Sequence, residues 1–146
     1  MALQRSANKL AQDLRRAQEM AMSAKKCPID KCGGPPAIVP PRYGIELNKN
    51  SDNYFLFADL NDPDGSGRYE EIPDVKIETM YVEKGVEISE LWTHDSKEEA
   101  WVTFKPPDPL TTIRDPGERS TIEIRLKAGE KIKKVIINQA GLIYVE

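Results

Sequence analysis

Histidine and cysteine are scarce in this 146-residue chain, which has one histidine and two cysteines. A zinc site needs about four nitrogen, sulfur or carboxylate ligands, so zinc binding is not expected. His94 stands alone within Thr93-His94-Asp95-Ser96, a sequence typical of an exposed turn, and no second histidine supports acid–base catalysis. We therefore predict that the protein is not an enzyme.

A basic excess and long apolar runs are also missing. The net charge is −3 and the isoelectric point is near 5.4, which argues against a broad nucleic-acid-binding surface. No stretch approaches the ~20 apolar residues that a membrane-spanning helix needs. The hydrophobic share of 39% and the charged share of 31% are typical of a globular domain, and the length suits a single one.

The first 26 residues predict one long α-helix. Leucines and alanines recur at spacings of three and four, which places them on one helix face. The predicted packing face consists of Leu3, Ala7, Leu10, Leu14, Ala17, Ala21 and Ala24. Residues 1–3 offer no N-cap, although Ser6 could cap a shorter helix. We interpret this start as a helix cut within its length.

The remainder predicts an antiparallel β domain. Residues 27–42 are rich in proline and glycine and indicate a connecting loop. Strands are expected over 43–47, 53–58, 76–83, 86–93, 100–105, 121–127, 135–138 and 142–145, with hairpins at 48–52 and 84–85. The predicted fold class is α+β, with a long N-terminal helix packed on an antiparallel β domain over 43–146, in one globular unit.

Cys27 and Cys32 leave two interpretations open. In an oxidising compartment the two residues would close a small disulfide loop. In the cytosol they would be inert thiols or half of a metal site.

The segment 59–71 holds the densest cluster of oxygen ligands. From Asp62 onward its spacing follows the first nine positions of an EF-hand calcium loop, with Gly67 at the sharp turn. Pro73 stands where the last, bidentate glutamate belongs, so the alternative is a solvated acidic turn. The candidate Ca²⁺ ligands are Asp59, Asn61, Asp62, Asp64, Ser66, Arg68 (through its carbonyl), Glu70 and Glu71.

A small basic patch lies near the end of the chain. It consists of Lys127, Lys131, Lys133 and Lys134, with no aromatic residues interleaved for base stacking. Lysines at a hairpin tip are more often edge protection than a binding site. DNA binding is therefore not the favoured interpretation.

The order of these segments resembles the GspH/FimT branch of type IV pilin-like proteins, the minor pilins and minor pseudopilins. The similar segments are the helical segment 6–23, the strand 54–61 with Asp64-Gly65 and Glu70-Glu71, and the closing strands 102–106, 121–124 and 135–143. The resemblance covers most of the chain.

This resemblance implies a structural subunit, minor or major, of a type IV pilus or a type II secretion filament, which assembles with other subunits through its N-terminal helix. It implies a precursor anchored in the inner membrane by ~20 apolar residues behind a prepilin-peptidase site. The domain would be extracytoplasmic, at the cell surface or in the periplasm, which favours the Cys27–Cys32 disulfide. Some members bind DNA through a basic tail, whereas residues 141–146 are apolar and acidic. The competing hypothesis is a secreted or surface calcium-dependent binding module.

Overall fold

One α-helix and eleven β-strands make up the described part of the fold. The computed structural model describes residues 1–28, 30–32, 38–60, 68–70, 74–93, 96–105 and 121–146, and the backbone of 111–114 and 118–119. The elements are α1 Ala2–Met22, β1 Arg42–Asn48, β2 Asn53–Asp59, β3 Val75–Tyr81, β4 Glu87–Trp92, β5 Ser96–Lys97, β6 Glu99–Phe104, β7 Thr111–Arg114, β8 Glu118–Arg119, β9 Thr121–Ala128, β10 Lys131–Asn138 and β11 Ile143–Val145. The fold is therefore α+β, as predicted.

The helix α1 is shorter than the predicted 26 residues. It ends where the N–H of Ser23 bonds to the carbonyl of Glu19 and the N–H of Lys25 bonds to the carbonyl of Met20. Ala24 then adopts a left-handed conformation, with φ of 51°, and is exposed. The assignment of Ala24 to the packing face is therefore wrong, because the backbone has already turned away from the helix axis.

Two antiparallel sheets form the β domain. Among the described residues, sheet A has the strand order β3-β2-β1-β6-β7-β8 and sheet B has the order β11-β10-β9-β4-β5. The predicted hairpin at 84–85 is wrong, because β3 pairs with β2 in sheet A and β4 pairs with β9 in sheet B. The turn at Gly85 thus carries the chain from one sheet to the other.

The predicted hairpin at 48–52 is confirmed, because β1 and β2 pair antiparallel on either side of it. The predicted last strand is also present, and β11 pairs antiparallel with β10, with Tyr144 opposite Ile136. The strand β10 starts at Lys131, earlier than the predicted residue 135, and pairs with β9 along its whole length. The short strands β5, β7 and β8 were not predicted, since two to four residues carry too little periodicity to be recognised.

The main core lies between α1 and the inner faces of the two sheets. It includes Leu10 and Leu14 of the helix, Ile45 and Leu47 of β1, and Ile124 of β9, all fully buried. Burial of one such aliphatic side chain contributes about 1.5–3 kcal/mol to folding. The apolar faces of the strands therefore pack against two partners, the helix and the other sheet.

A second apolar cluster covers the outer face of sheet A. Phe55, Phe57 and Trp101 are buried there, and the ring of Tyr69 packs edge-on against both phenylalanines at 5.0 and 5.6 Å between centroids. Gly44 lies beneath this cluster, and a Cβ atom at this position would come within 2.5 Å of the Thr103 methyl carbon. Sheet A is therefore buried on both faces around β1, β2 and β6.

A buried hydrogen bond joins the middle of α1 to sheet A. The hydroxyl of Tyr54 donates to Oδ2 of Asp13 at 2.6 Å, and Nζ of Lys9 lies 2.9 Å from the same oxygen. Burial, reinforced by this bond to the carboxylate, raises the pKa of Tyr54. Asp13 is itself buried, so its negative charge depends on these two donors.

We expect Tyr54→Phe to lower the free energy of unfolding by about 1–3 kcal/mol, because the carboxylate of Asp13 would stay buried without its hydroxyl donor. Urea unfolding followed by circular dichroism measures this change. Tyr144→Phe is the matched control, since Tyr144 is 40% exposed and its loss should change stability by less than ~0.5 kcal/mol. Equal effects of the two variants would contradict the role of the buried bond.

Candidate functional site

The packing face of α1 joins the two sheets. Of its predicted residues, Leu3, Ala7, Leu10, Leu14, Ala17 and Ala21 are buried, and Ala11 and Met20 join them. The helix contacts β1 and β6 of sheet A and β9, β10 and β11 of sheet B. The alanines allow the helix to approach both sheets closely, because a methyl side chain is small enough to permit a short distance between the backbones.

Polar side chains fasten one flank of α1 to the β3 side of sheet A. The guanidinium of Arg5 donates two hydrogen bonds to the Glu83 carboxylate at 2.8 and 2.9 Å, and holds the pKa of Glu83 below its usual range. The N–H of Glu83 donates to the Ser6 hydroxyl at 3.0 Å, so Ser6 lies inside the helix and does not cap it. Arg16 forms an ion pair with Glu78 of β3. Exposed pairs contribute little free energy, but they set the helix orientation.

The other flank of α1 is fastened to β11 and the turn before it. Nη2 of Arg15 donates to the carbonyl of Ile143 at 2.8 Å, and Nε2 of Gln18 donates to the carbonyl of Gly141 at 3.0 Å. Both bonds use backbone carbonyl acceptors, so they depend on the path of the chain through β11 and the turn before it. The helix is thus held from both sides.

The outward face of α1 is open and polar. Asn8, Gln12, Arg15 and Glu19 are exposed at spacings of three and four, on the side opposite to the buried stripe. In the ranges that the structure describes, no helix combines the length and apolar character required to cross a membrane. One helix therefore carries an apolar face occupied by the β domain and a polar face that is accessible to other molecules.

A disulfide follows the helix. Cys27 and Cys32 are bonded, with their Cα atoms 6.0 Å apart, which confirms the pairing that the resemblance favours. Cys27 is buried in the main core, and its N–H donates to the carbonyl of Ile38 at 2.7 Å. The hydroxyl of Tyr43 donates to the carbonyl of Lys25 at 2.7 Å. Together these contacts tie the end of α1 to the start of β1.

Two buried aspartates lie at the end of β2. The carboxylate of Asp74 accepts the N–H groups of Leu60 and Glu70, both at 2.8 Å, and the side chain of Asp59 lies beside it. Burial raises the pKa of Asp74 to about 6; the two N–H donors oppose this rise and the neighbouring Asp59 adds to it. We call Asp59 and Asp74 the acidic corner.

The acidic corner coincides with part of the predicted calcium site. Asn61, Asp62, Asp64, Ser66 and Glu71 of that prediction lie outside the described residues. Asp59 lies at the corner, and Glu70 reaches it through its backbone N–H group. The guanidinium of Arg68 lies over the Trp101 ring, 5.6 Å from its centroid.

The sequence interpretation did not include Asp74 among the ligands. The sequence did offer a signal for Asp74. It follows Pro73, which stands at the twelfth position of the calcium-loop spacing, where a bidentate carboxylate ligand is expected. Buried carboxylate oxygens are ligands that suit Ca²⁺. Within the described residues, no group of three or more histidine, cysteine, aspartate or glutamate side chains is arranged to hold a metal ion.

The predicted basic patch lies on the hairpin of β9 and β10. Lys127 and Lys131 are exposed, Lys133 is half-buried, and Nζ of Lys134 lies 3.7 Å from the carboxylate of Glu123. Lys127 stands opposite Ile132, so the neighbour across the strands is aliphatic and not aromatic. Nothing in this arrangement favours base stacking, and DNA binding stays a disfavoured prediction.

We expect the acidic corner to make stability depend on pH between about 4 and 6. The pKa of Asp74 rises from 3.8 to about 6 on folding, so the folded state binds this proton more tightly than the unfolded state. The stabilisation is complete below the unfolded pKa and is lost as the pH rises through about 6. Its size is about 1–3 kcal/mol.

Urea unfolding between pH 4 and 7, in the presence of a chelator, measures this dependence. Asp74→Asn should flatten the profile, even though it also lowers stability throughout by losing one acceptor. Asp52→Asn removes an exposed carboxylate and should leave the slope unchanged. An unchanged slope in Asp74→Asn would contradict the assignment.

Comparison with known proteins identifies no relative of the chain. No protein-family model, no curated protein and no solved structure matches it. The contacts of the helix and of the acidic corner, together with the order of the sequence segments, are therefore the basis on which a function can be proposed.

Proposed function

We propose that the protein is a structural subunit of a type IV pilus or a type II secretion filament, and that it assembles through its N-terminal helix. The observation that carries this proposal is the division of α1 into two faces. The stripe with Leu10 and Leu14 is occupied by both sheets, while the face with Gln12 is open. A filament subunit needs such a helix, because one face must hold its own β domain and the other must meet neighbouring subunits.

The way in which α1 is fastened supports the proposal. A subunit that is pulled or pushed within a filament needs its helix held in one position against its β domain. Here the Tyr54–Asp13 bond anchors the centre of the helix, and Arg15 and Arg16 hold its flanks to different sheets. Separating the helix would expose the apolar stripe and would also break the buried hydrogen bond between Tyr54 and Asp13.

The proposal includes an extracytoplasmic location. The Cys27–Cys32 disulfide is compatible with it, since disulfides persist in the periplasm and at the cell surface and are rare in the cytosol. The proposed partners are other subunits of the same filament and the inner membrane, reached through a segment preceding α1. DNA is not among the partners we propose.

We expect Gln12→Trp in the full-length gene to block filament assembly or the secretion that depends on it. An indole in the middle of the open face would prevent close approach of a neighbouring helix. The purified domain should keep its unfolding temperature, because Gln12 is exposed. Electron microscopy of the source cells, or a secretion assay, measures assembly.

Gln139→Trp is the control, because it makes the same change at an exposed turn between β10 and β11. Normal assembly of Gln12→Trp would sink the proposal that the open face of α1 meets other subunits. Loss of assembly in both variants would show that the effect is not specific to the helix.

A second candidate function is a calcium-dependent binding module, which the acidic corner favours. Asp59 and Asp74 place two buried carboxyl groups side by side next to a segment rich in further oxygen ligands. A divalent cation would compensate the charge repulsion that their burial creates. The two candidate functions are not exclusive, because a filament subunit can also bind calcium.

We expect millimolar Ca²⁺ to raise the unfolding temperature by several degrees if the corner is a calcium site. A chelator should reverse the rise, and Asp59→Asn should abolish it, while Asp52→Asn at the other end of the molecule should not. Differential scanning calorimetry with Mg²⁺ as the competing ion measures the effect. An identical rise in Asp59→Asn would exclude the corner as the site.

A further inference from the structure

The outer face of sheet B, on the side away from α1, exposes aromatic side chains. On the outer face of sheet A the aromatic cluster is buried, with the ring of Tyr69 packed on it. On sheet B, by contrast, Trp92 of β4 is 37% exposed and Tyr144 of β11 is 40% exposed. Two exposed aromatic rings on one sheet face indicate a surface that binds another molecule.

The strand register places both rings in one row across the sheet. Tyr144 stands opposite Ile136, and Ile136 stands opposite Glu123 on its other side. Glu123 in turn stands opposite Trp92. Because Leu91 lies in the main core, its neighbour Trp92 points outward. Three strand intervals separate the two aromatic residues, which is a distance of about 14 Å.

A network of charged side chains lies beside this row. Nη1 of Arg125 donates to Oε2 of Glu90 at 2.9 Å, and Nε of Arg125 donates to the Glu123 carboxylate. Nζ of Lys134 lies 3.7 Å from the other oxygen of Glu123. The two cations and the two anions therefore balance, and their mutual contacts hold the polar groups in place across β4, β9 and β10.

The same network orients the ring of Trp92. Cζ of Arg125 lies 5.0 Å from the centroid of this ring, and the guanidinium is itself bonded to two carboxylates. A side chain that is held in one orientation before binding loses less conformational entropy when a ligand stacks on it. The aromatic and polar groups of this face are thus arranged before a ligand arrives.

We propose that the outer face of sheet B binds a flat, uncharged polysaccharide. One face of a pyranose ring consists of C–H groups, which stack on the electron-rich face of Trp92 or Tyr144. The hydroxyl groups around the ring exchange hydrogen bonds with the Glu123 carboxylate and the Arg125 guanidinium. A chain of roughly three sugar rings reaches both aromatic side chains across about 14 Å. This inference goes beyond the proposed filament subunit and rests on sheet B alone.

The charge and shape of the face favour this ligand class over others. Glu90 and Glu123 would repel the phosphates of a nucleic acid or an anionic lipid, and two cations do not outweigh them. A sheet face presents side chains and no free backbone groups, so an extended peptide has no strand to pair with there. The open face suits a β-1,4-linked ribbon, whose sugar rings lie nearly in one plane, better than a helical α-1,4-linked chain.

A second copy of the chain is the less suitable occupant. The eight residues of β9 and the five strands of sheet B limit the face to about 27 Å by 19 Å, or roughly 500 Å². Two copies joined through it would bury roughly 1,000 Å², less than the ~1,200 Å² at which stable protein interfaces begin. A polysaccharide needs only the row of side chains between Trp92 and Tyr144.

Isothermal titration calorimetry of the 146-residue chain with cellohexaose and with chitohexaose tests the proposal. We expect at least one of these β-1,4-linked hexasaccharides to bind, and the α-1,4-linked maltohexaose to bind much more weakly. Tryptophan emission locates the site. Trp101 is only 8% exposed, so a blue shift on addition of the sugar reports on Trp92.

Trp92→Ala should weaken binding roughly tenfold or more, because the stacked ring and its buried area are both lost. Trp92→Phe keeps an aromatic ring and should retain most of the affinity. Tyr144→Ala should weaken binding by a smaller factor, and it provides an independent test if Trp92→Ala does not fold. Tyr81→Ala is the matched control, since it removes a 63% exposed aromatic side chain from β3 of sheet A and should bind like the unaltered chain.

Circular dichroism of each variant confirms folding, and three outcomes would overturn the proposal. The first is that neither β-1,4-linked hexasaccharide binds, and the second is that Tyr81→Ala loses as much affinity as Trp92→Ala. The third is a concentration-dependent dimer, seen by analytical ultracentrifugation, that Trp92→Ala abolishes, since a second copy would then occupy the face. None of these results alters the expectation for Gln12→Trp, so failure of this inference is distinguishable from failure of the filament proposal.

Discussion

A single helix stands against the inner faces of two β-sheets, and most of the remaining structure follows from this arrangement. The buried stripe with Leu10 and Leu14 contacts strands of both sheets, so neither sheet has to pack on the other over its whole inner face. Ala7, Ala17 and Ala21 in this stripe allow the helix to lie close to the strands. The inward faces of the strands that carry Ile45 and Ile124 would lose one of their two apolar partners if the helix were removed.

Polar groups hold this helix in one orientation. Hydrophobic burial is not directional, so an apolar stripe by itself would tolerate small rotations and shifts along the axis. The buried bond from Tyr54 to Asp13 and the bonds from Arg15 and Gln18 to backbone carbonyls are directional. They leave one face of the helix outward, and the proposed assembly of a filament uses that face.

The two ends of the molecule differ in chemistry because different strand ends meet there. At one end, the last residue of β2 brings Asp59 beside Asp74, and burial raises the pKa of Asp74. At the other end, the β9–β10 hairpin places Lys131 and Lys133 around Ile132 and the first residues of α1. About one strand length separates the two regions, so their charges act nearly independently.

Local periodicity in the sequence determined the helix stripe, most strands and the α+β class, because spacings of three and four or of two report directly which side is buried. Only the tertiary structure decided strand partnership: β3 and β4 read as a hairpin but join different sheets, since pairing depends on residues far apart in the chain. The end of the helix before Ala24 and the place of Asp74 beside Asp59 were decided in the same way. Both depend on backbone turns and long-range contacts, which no local pattern encodes.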